Sequence, residues 1–228
     1  MSVTYTVISI GALSRNRLWG ERQPKRAAHA TTTLVRDGTT TILVDPALPL
    51  ELLAHRLDER AGLTVAEVDV VFLTTFRPVH RRALSAFPGA TWLMHEPEIA
   101  GMRAYLTEML QRADADGGDD TGEVARGLDA DRELLSRVGA ADDKLTRQVH
   151  LFPAVGASPG SAALLLASPL RTTVIAGDAV LTRDHAETGQ VFDRAYSVED
   201  AQGALREILE VADEVVPGHD NVFFVGGR

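Results

Sequence analysis

The residues best suited to chemistry follow the apolar segment 68–73, where residues 74–80 read TTFRPVH. Its one histidine, His80, is a residue type that binds metals and transfers protons near neutral pH. Arg77 is instead a permanent cation whose planar guanidinium pairs with carboxylates. The chain has no cysteine, so any metal must be held by histidine, aspartate, glutamate or water.

Five segments, in chain order, resemble motifs of the metallo-β-lactamase superfamily. They are residues 42–47 (ILVDPA), 74–80 (TTFRPVH), 154–161 (AVGASPGS), 176–179 (AGDA) and 216–219 (VPGH). The second resembles the family's Thr-His-x-His-x-Asp-His loop. One such match would be weak, but five in order span most of the chain. The resemblance implies the α+β class, with residues 1–228 forming a single four-layer αβ/βα sandwich.

Carried over position by position, the resemblance implies that the first of two metal sites has lost every histidine. Those positions are Thr75, Arg77 and Ala157. The positions of the second site and of the bridging aspartate are Val79, His80, His219 and Asp178. Two metal ions held close together need several neutral or anionic donors, so a two-metal hydrolase of the usual kind is not expected.

Two interpretations of this pattern remain open. In one, His80, Asp178 and His219 hold a single zinc, iron or manganese ion, and the chain hydrolyses a small ester, thioester or lactam. In the other, the guanidinium of Arg77 pairs in bidentate fashion with Asp178 and replaces the metal charge, so no cofactor is bound. The chain is then a catalytically degenerate member that binds a small ligand or a partner. No catalytic residue can be assigned.

The surroundings of the site can also be placed from the resemblance. Asp45 resembles the aspartate that braces the metal loop, although an aspartate here can equally cap a turn. Residues 11–28, with five basic side chains and Trp19, are expected either to cover an anionic small molecule or to form a solvated basic loop. His185 is close enough in sequence to Asp178 to reach the pocket. The expected pocket residues are Asp45, Thr75, Val79, Ala157 and Trp19.

Composition limits the classes of partner. The formal net charge of −9 disfavours binding to nucleic acid, because an acidic surface repels phosphates. No apolar run is long enough to span a membrane, and the first residues do not resemble a signal peptide. We therefore expect a cytoplasmic protein with no membrane partner.

Periodicity and turn signals predict the elements that position these residues. Strands are expected at 4–10, 31–36, 39–44, 68–74, 90–94, 148–154, 162–168, 172–177 and 214–216. Helices are expected at 49–61, from about 78, over most of 97–139 and from 197. An acidic segment, 113–122, is expected to form a solvated loop between two helices. Ser197 and Asp200 have the spacing of a capping box at the start of the last helix.

Overall fold

The computed structural model describes residues 2–116 and 121–226, so part of the acidic segment 113–122 lies outside the described residues. Within them, the first half forms a sheet of six strands in the order β1-β2-β3-β4-β5-β6. The strands are β1 (Thr4–Ser9), β2 (Thr32–Asp37), β3 (Thr40–Val44), β4 (Val70–Leu73), β5 (Thr91–Met94) and β6 (Gly139–Ala140). The first three are antiparallel, whereas β3, β4, β5 and β6 are parallel.

The second half forms a sheet of five described strands in the order β11-β10-β9-β8-β7. The strands are β7 (Val149–Pro153), β8 (Ala162–Ser168), β9 (Arg171–Gly177), β10 (Glu214–Pro217) and β11 (Phe223–Phe224). Only β9 and β10 are parallel neighbours; the other pairs are antiparallel.

Helices cover the outer face of each sheet. They are α1 (Leu50–Ala61), α2 (Glu96–Asp116) and α3 (Thr121–Ser136) on the first sheet, and α4 (Arg183–Thr188) and α5 (Val198–Val211) on the second. No helix among the described residues has the length and apolar content needed to cross a bilayer.

Alternation along the strands divides the apolar side chains between two kinds of interface. In β4, Val71 and Leu73 pack under the helices, while Phe72 points to the space between the sheets. In β9, Val174 faces α5 and Ile175 faces the first sheet. The result is the expected four-layer αβ/βα sandwich of the α+β class.

One expected helix is absent from the described residues. The segment after Pro78 forms turns and a short 3-10 helix (Leu84–Ala86) rather than an α-helix. The backbone N–H of Ala83 donates to the carbonyl of Pro46, across the chain, at 2.9 Å. Because that donor is used in a tertiary contact, an α-helix cannot continue through it.

Candidate functional site

The candidate site lies where parallel strands of both sheets end. Asp45 follows β3, and the segment 74–80 follows the neighbouring strand β4. Asp178 follows β9, and His219 follows the neighbouring strand β10. Carboxyl ends of parallel strands meet at one edge of a sheet, so both pairs of segments converge on one region.

Asp178 is the centre of the cluster and is almost fully buried. Its Oδ1 lies 3.1 Å from Nε2 of His80 and 3.0 Å from Nε2 of His219. Its Oδ2 accepts a hydrogen bond of 2.6 Å from the guanidinium of Arg77. Burial alone would raise the pKa of Asp178, but the charge of His80 and the hydrogen bonds from both rings hold it well below its usual range.

Arg77 connects three parts of the site. One terminal nitrogen donates to Asp178 and the other donates to the backbone carbonyl of Ala157 at 2.5 Å. The guanidinium also lies over the ring of Phe192, 4.4 Å from its centroid. The pairing with Asp178 is therefore not bidentate as expected from the sequence, because Ala157 O takes the second nitrogen.

Asp45 holds the start of the loop and its histidine together. Its carboxylate accepts the backbone N–H of Thr74 at 2.9 Å and the Thr74 hydroxyl at 2.7 Å, and it lies 2.9 Å from Nδ1 of His80. Asp45 has a φ of +51°, a left-handed backbone conformation that is uncommon for residues other than glycine. The aspartate therefore braces the loop at some backbone cost.

His80 lies fully buried between two carboxylates, Asp45 on Nδ1 and Asp178 on Nε2. Burial opposes its protonation, but the negative charges of Asp178 and Asp45 outweigh that effect and raise the pKa of His80 to about 10. The ring is thus an imidazolium that donates to both neighbours at neutral pH.

His219 is oriented in a similar way by a backbone group. Its Nδ1 lies 2.9 Å from the carbonyl oxygen of His29, which can only accept a hydrogen bond. Nδ1 therefore carries a proton, and Nε2 faces the carboxylate of Asp178. Both histidines of the cluster present Nε2 to the same oxygen atom.

A third buried carboxylate, Glu98 near the start of α2, lies behind the loop and was not predicted as a site residue. It accepts hydrogen bonds from the hydroxyls of Thr75 and Ser158, each at 2.7 Å. It also accepts the backbone N–H groups of Phe76 at 3.1 Å and Gly160 at 2.9 Å. In sequence, Glu98 is indistinguishable from an ordinary acidic residue of a first helical turn.

The remaining expected pocket residues occupy different positions. Thr75 points to Glu98, and Val79 is half-buried with its carbonyl accepting the N–H of Ala30 at 3.0 Å. Ala157 is buried and contributes its carbonyl. Trp19 lies on the surface, 60% exposed, with its indole N–H donating to Asp184 at 2.6 Å. The structure therefore brings Ala157, but not the Trp19 ring, into contact with the cluster.

The side chains of the site determine whether it fits two metal ions or one. Thr75 is engaged by Glu98, Arg77 is a cation and Ala157 has no side-chain donor, so a two-metal centre does not fit. His80, Asp178 and His219 each offer a ligand atom, and these atoms lie within 4.8 Å of one another. Their donor types fit one divalent ion.

Comparisons with known proteins agree with the fold. The family model described as "Metallo-beta-lactamase superfamily" matches residues 27–219. A candidate metallo-β-lactamase of Thermotoga maritima is similar in structure, with a TM-score of 0.70 and 17% identity over 98% of this chain and 100% of that one.

Two further solved structures are also similar. The dizinc quorum-quenching lactonase AidC, in complex with a product, gives a TM-score of 0.66 and 15% identity over 86% of this chain and 74% of that one. A mutant of AiiA from B. thuringiensis, with N-decanoyl-L-homoserine at its active site, gives a TM-score of 0.65. Its sequence identity is 14% over 96% of this chain and 94% of that one. At such identities the likeness concerns the fold alone. No curated protein sequence matches this chain.

Proposed function

The chain belongs to the metallo-β-lactamase superfamily, and from that premise we propose that it is a ligand-binding member in which the Arg77 guanidinium takes the place of the first metal ion. The observation that carries this proposal is the contact of 2.6 Å between Arg77 and Asp178. A buried carboxylate needs a compensating charge, and a guanidinium at this distance supplies one without a metal.

The engagement of the polar side chains supports binding rather than catalysis. Both ring nitrogens of His80 and of His219 have partners within the protein. The hydroxyl of Ser158 donates to the buried Glu98. Each of these groups would have to break an internal contact before it could act as a nucleophile or a general base.

The ligand class follows from the neighbourhood of the site. The lactonase AidC and the protein AiiA, which are similar in fold, hold N-acyl-L-homoserine molecules, which are small organic molecules. In this chain a cavity of about 440 Å³ adjoins Arg77 through Phe192. That volume is within the range of small-molecule pockets, so we propose a small organic ligand.

A one-metal hydrolase is the second candidate, and the orientation of the two histidines favours it. Nδ1 of each ring faces an acceptor, the Asp45 carboxylate or the His29 carbonyl, as is usual for histidines that bind metals through Nε2. His80, Asp178 and His219 would hold the ion. A divalent metal there would supply Lewis-acid chemistry for hydrolysis of a small ester, thioester or lactam.

Metal content separates the two candidates. We expect protein purified without chelator to contain less than about one-tenth of an equivalent of zinc, iron or manganese, and its melting temperature to be unchanged by chelator. The Arg77→His variant removes the competing cation and adds a donor, so it should bind close to one equivalent of zinc and be stabilised by it.

Arg82→His is the matched control, because Arg82 is exposed and two residues away from His80. This variant gains the same side chain outside the cluster and should not bind zinc more tightly than the wild type. One equivalent of metal in the wild type, lost on Asp178→Asn, would reject our proposal in favour of the one-metal hydrolase. An Arg77→His variant that behaves like Arg82→His would also contradict the placement of Arg77.

A further inference from the structure

The cavity beside the cluster is lined mainly by two segments of the chain. Residues 13–15, 17, 18 and 24 come from the first segment and residues 190–194 from the second, with Leu181 and His185 as further lining residues. The carbonyl of Leu181 accepts the N–H of His219 at 2.8 Å. The cavity is thus adjacent to the Asp178 cluster at two points, Leu181 and Phe192.

His185 offers this cavity a hydrogen-bond donor. Its Nδ1 lies 2.7 Å from the hydroxyl oxygen of Thr182, which also accepts the backbone N–H of His185 at 3.3 Å. The hydroxyl proton of Thr182 has no other acceptor among the described residues, so it donates to Nδ1 and leaves the ring proton on Nε2. Burial lowers the pKa of His185, which favours this neutral form.

Nε2 of His185 has no protein partner among the described residues, although the side chain is only 7% exposed. It is not sealed in the core either, because the residue lines the cavity. This nitrogen opens onto the cavity and is not a fully buried atom, so a ligand that displaces water from it must itself offer an acceptor. A ligand acceptor within the cavity satisfies this donor.

The charges around the cavity select the kind of acceptor. Three guanidinium groups and one carboxylate line it: Arg15, Arg17, Arg194 and Asp193. Asp193 is shared by Arg15 at 3.4 Å and Arg17 at 2.8 Å, so the cations remain in excess. In a chain of formal net charge −9, this excess makes the cavity a local attractor for anions.

Most of the remaining lining is apolar and favours an apolar body in the ligand. Its apolar residues are Leu13, Leu18, Pro24, Leu181, Val191 and Phe192, and its polar ones are Ser14 and Gln190. These side chains lie beside the arginines, so an anion with an apolar body satisfies both parts of the lining better than inorganic phosphate does.

We propose that this cavity binds a small organic carboxylate, whose oxygen accepts the Nε2–H of His185 while its apolar body packs against Leu13, Leu18 and Val191. The inference rests on the proposed function, because it names the ligand class of the site that Arg77 adjoins. His185 and the arginines then determine specificity, and none of them is a metal donor in either candidate function.

Calorimetric titration of the full chain with hexanoate tests the proposal. We expect saturable binding in the wild type, and affinity at least about tenfold lower in His185→Leu, because a hydrogen bond to a charged acceptor is lost. His185→Gln retains a side-chain N–H donor and should recover part of the affinity. Hexanamide, with the same apolar body but no charge, should bind more weakly than hexanoate.

Arg183→Gln is the matched control, since Arg183 is in the same helix and pairs with Glu187 outside the cavity. Its affinity should equal that of the wild type, whereas Arg194→Gln should weaken binding. Circular dichroism melting of each variant distinguishes a lost contact from misfolding. Equal binding by His185→Leu and wild type, tighter binding of inorganic phosphate than hexanoate, or no hexanoate binding with a Kd below about 1 mM would overturn the proposal.

The two proposals fail in different measurements. Wild-type protein that carries one equivalent of metal, yet binds hexanoate through His185, contradicts the role given to Arg77 and leaves the carboxylate site standing. If the wild type is free of metal and Arg77→His gains zinc, but no hexanoate binds, the role given to Arg77 stands and the carboxylate site is rejected.

Discussion

Replacing Glu98 by alanine tests how the two loops of the site are held together. The side chain is fully buried and accepts four hydrogen bonds, two from hydroxyls and two from backbone N–H groups. After Glu98→Ala the hydroxyls of Thr75 and Ser158, 3.2 Å apart, can still bond to each other. The backbone N–H groups of Phe76 and Gly160 are both donors and cannot bond to each other. Each is therefore left buried without an acceptor.

The magnitude follows from those two groups. A buried donor that loses its acceptor costs about 1–3 kcal/mol, so the loss of two acceptors by Glu98→Ala should lower the free energy of unfolding by roughly 2–6 kcal/mol. Glu98→Gln keeps one acceptor oxygen but turns an amide N–H₂ toward a backbone donor. We expect that variant to lose about 1–3 kcal/mol.

Urea unfolding followed by tryptophan fluorescence measures these losses. Glu96→Ala is the control, because Glu96 is an exposed carboxylate two residues earlier in α2. Glu96→Ala should lower the free energy of unfolding by no more than about 0.5–1 kcal/mol, because it removes only a favourable interaction with the helix dipole. If Glu98→Ala falls within about 0.5 kcal/mol of Glu96→Ala at equal m-values, Glu98 does not hold the loops and the reasoning is wrong.

Two further outcomes are expected. Because the pKa of His80 is raised to about 10 from an ordinary 6.5, its charge stabilises the fold fully below pH 6.5, and that contribution is lost as the pH rises toward 10. The urea midpoint of the wild type should fall over this range more than that of His80→Gln, and equal slopes would contradict the assignment. Gly177→Ala would place a Cβ 2.3 Å from Thr74 Oγ1, whereas the same change at Gly62, also at positive φ, meets no atom within 4 Å. Gly177→Ala should therefore be the less stable of the two in thermal melts by at least about 1 kcal/mol, and similar melting temperatures would refute the close packing at Thr74.

Much of the fold could be predicted because local signals and tertiary packing agree. Gly38, with a φ of +64°, and Thr39 form the turn between β2 and β3, within one residue of the gap between the expected strands 31–36 and 39–44. The 3.6-residue spacing in α5 matches its buried face, and Ser197 accepts the N–H of Asp200 at its start. The continuous apolar runs in β4 and in the second half of β9 follow from their burial on both faces.

The parts that could not be predicted depend on contacts remote in sequence. The helix expected after Pro78 is absent because Ala83 bonds to Pro46, which periodicity cannot reveal. Glu98 required knowledge of which loops face α2. The short helix α4 did carry signals, with Thr182 as a side-chain cap and Gly189 in a left-handed conformation at its end. Those signals would have placed His185 in a fixed orientation.

The contact between Arg77 and Asp178 also has a kinetic consequence. The two residues are 101 positions apart in the chain and follow strands of different sheets, β4 and β9. A contact between residues so far apart closes a large loop, which is costly in entropy. We therefore expect it to form late, after the folding transition state. Arg77→Met should then leave the folding rate almost unchanged and accelerate unfolding. Arg77 would thus prolong the lifetime of the native state by slowing its unfolding.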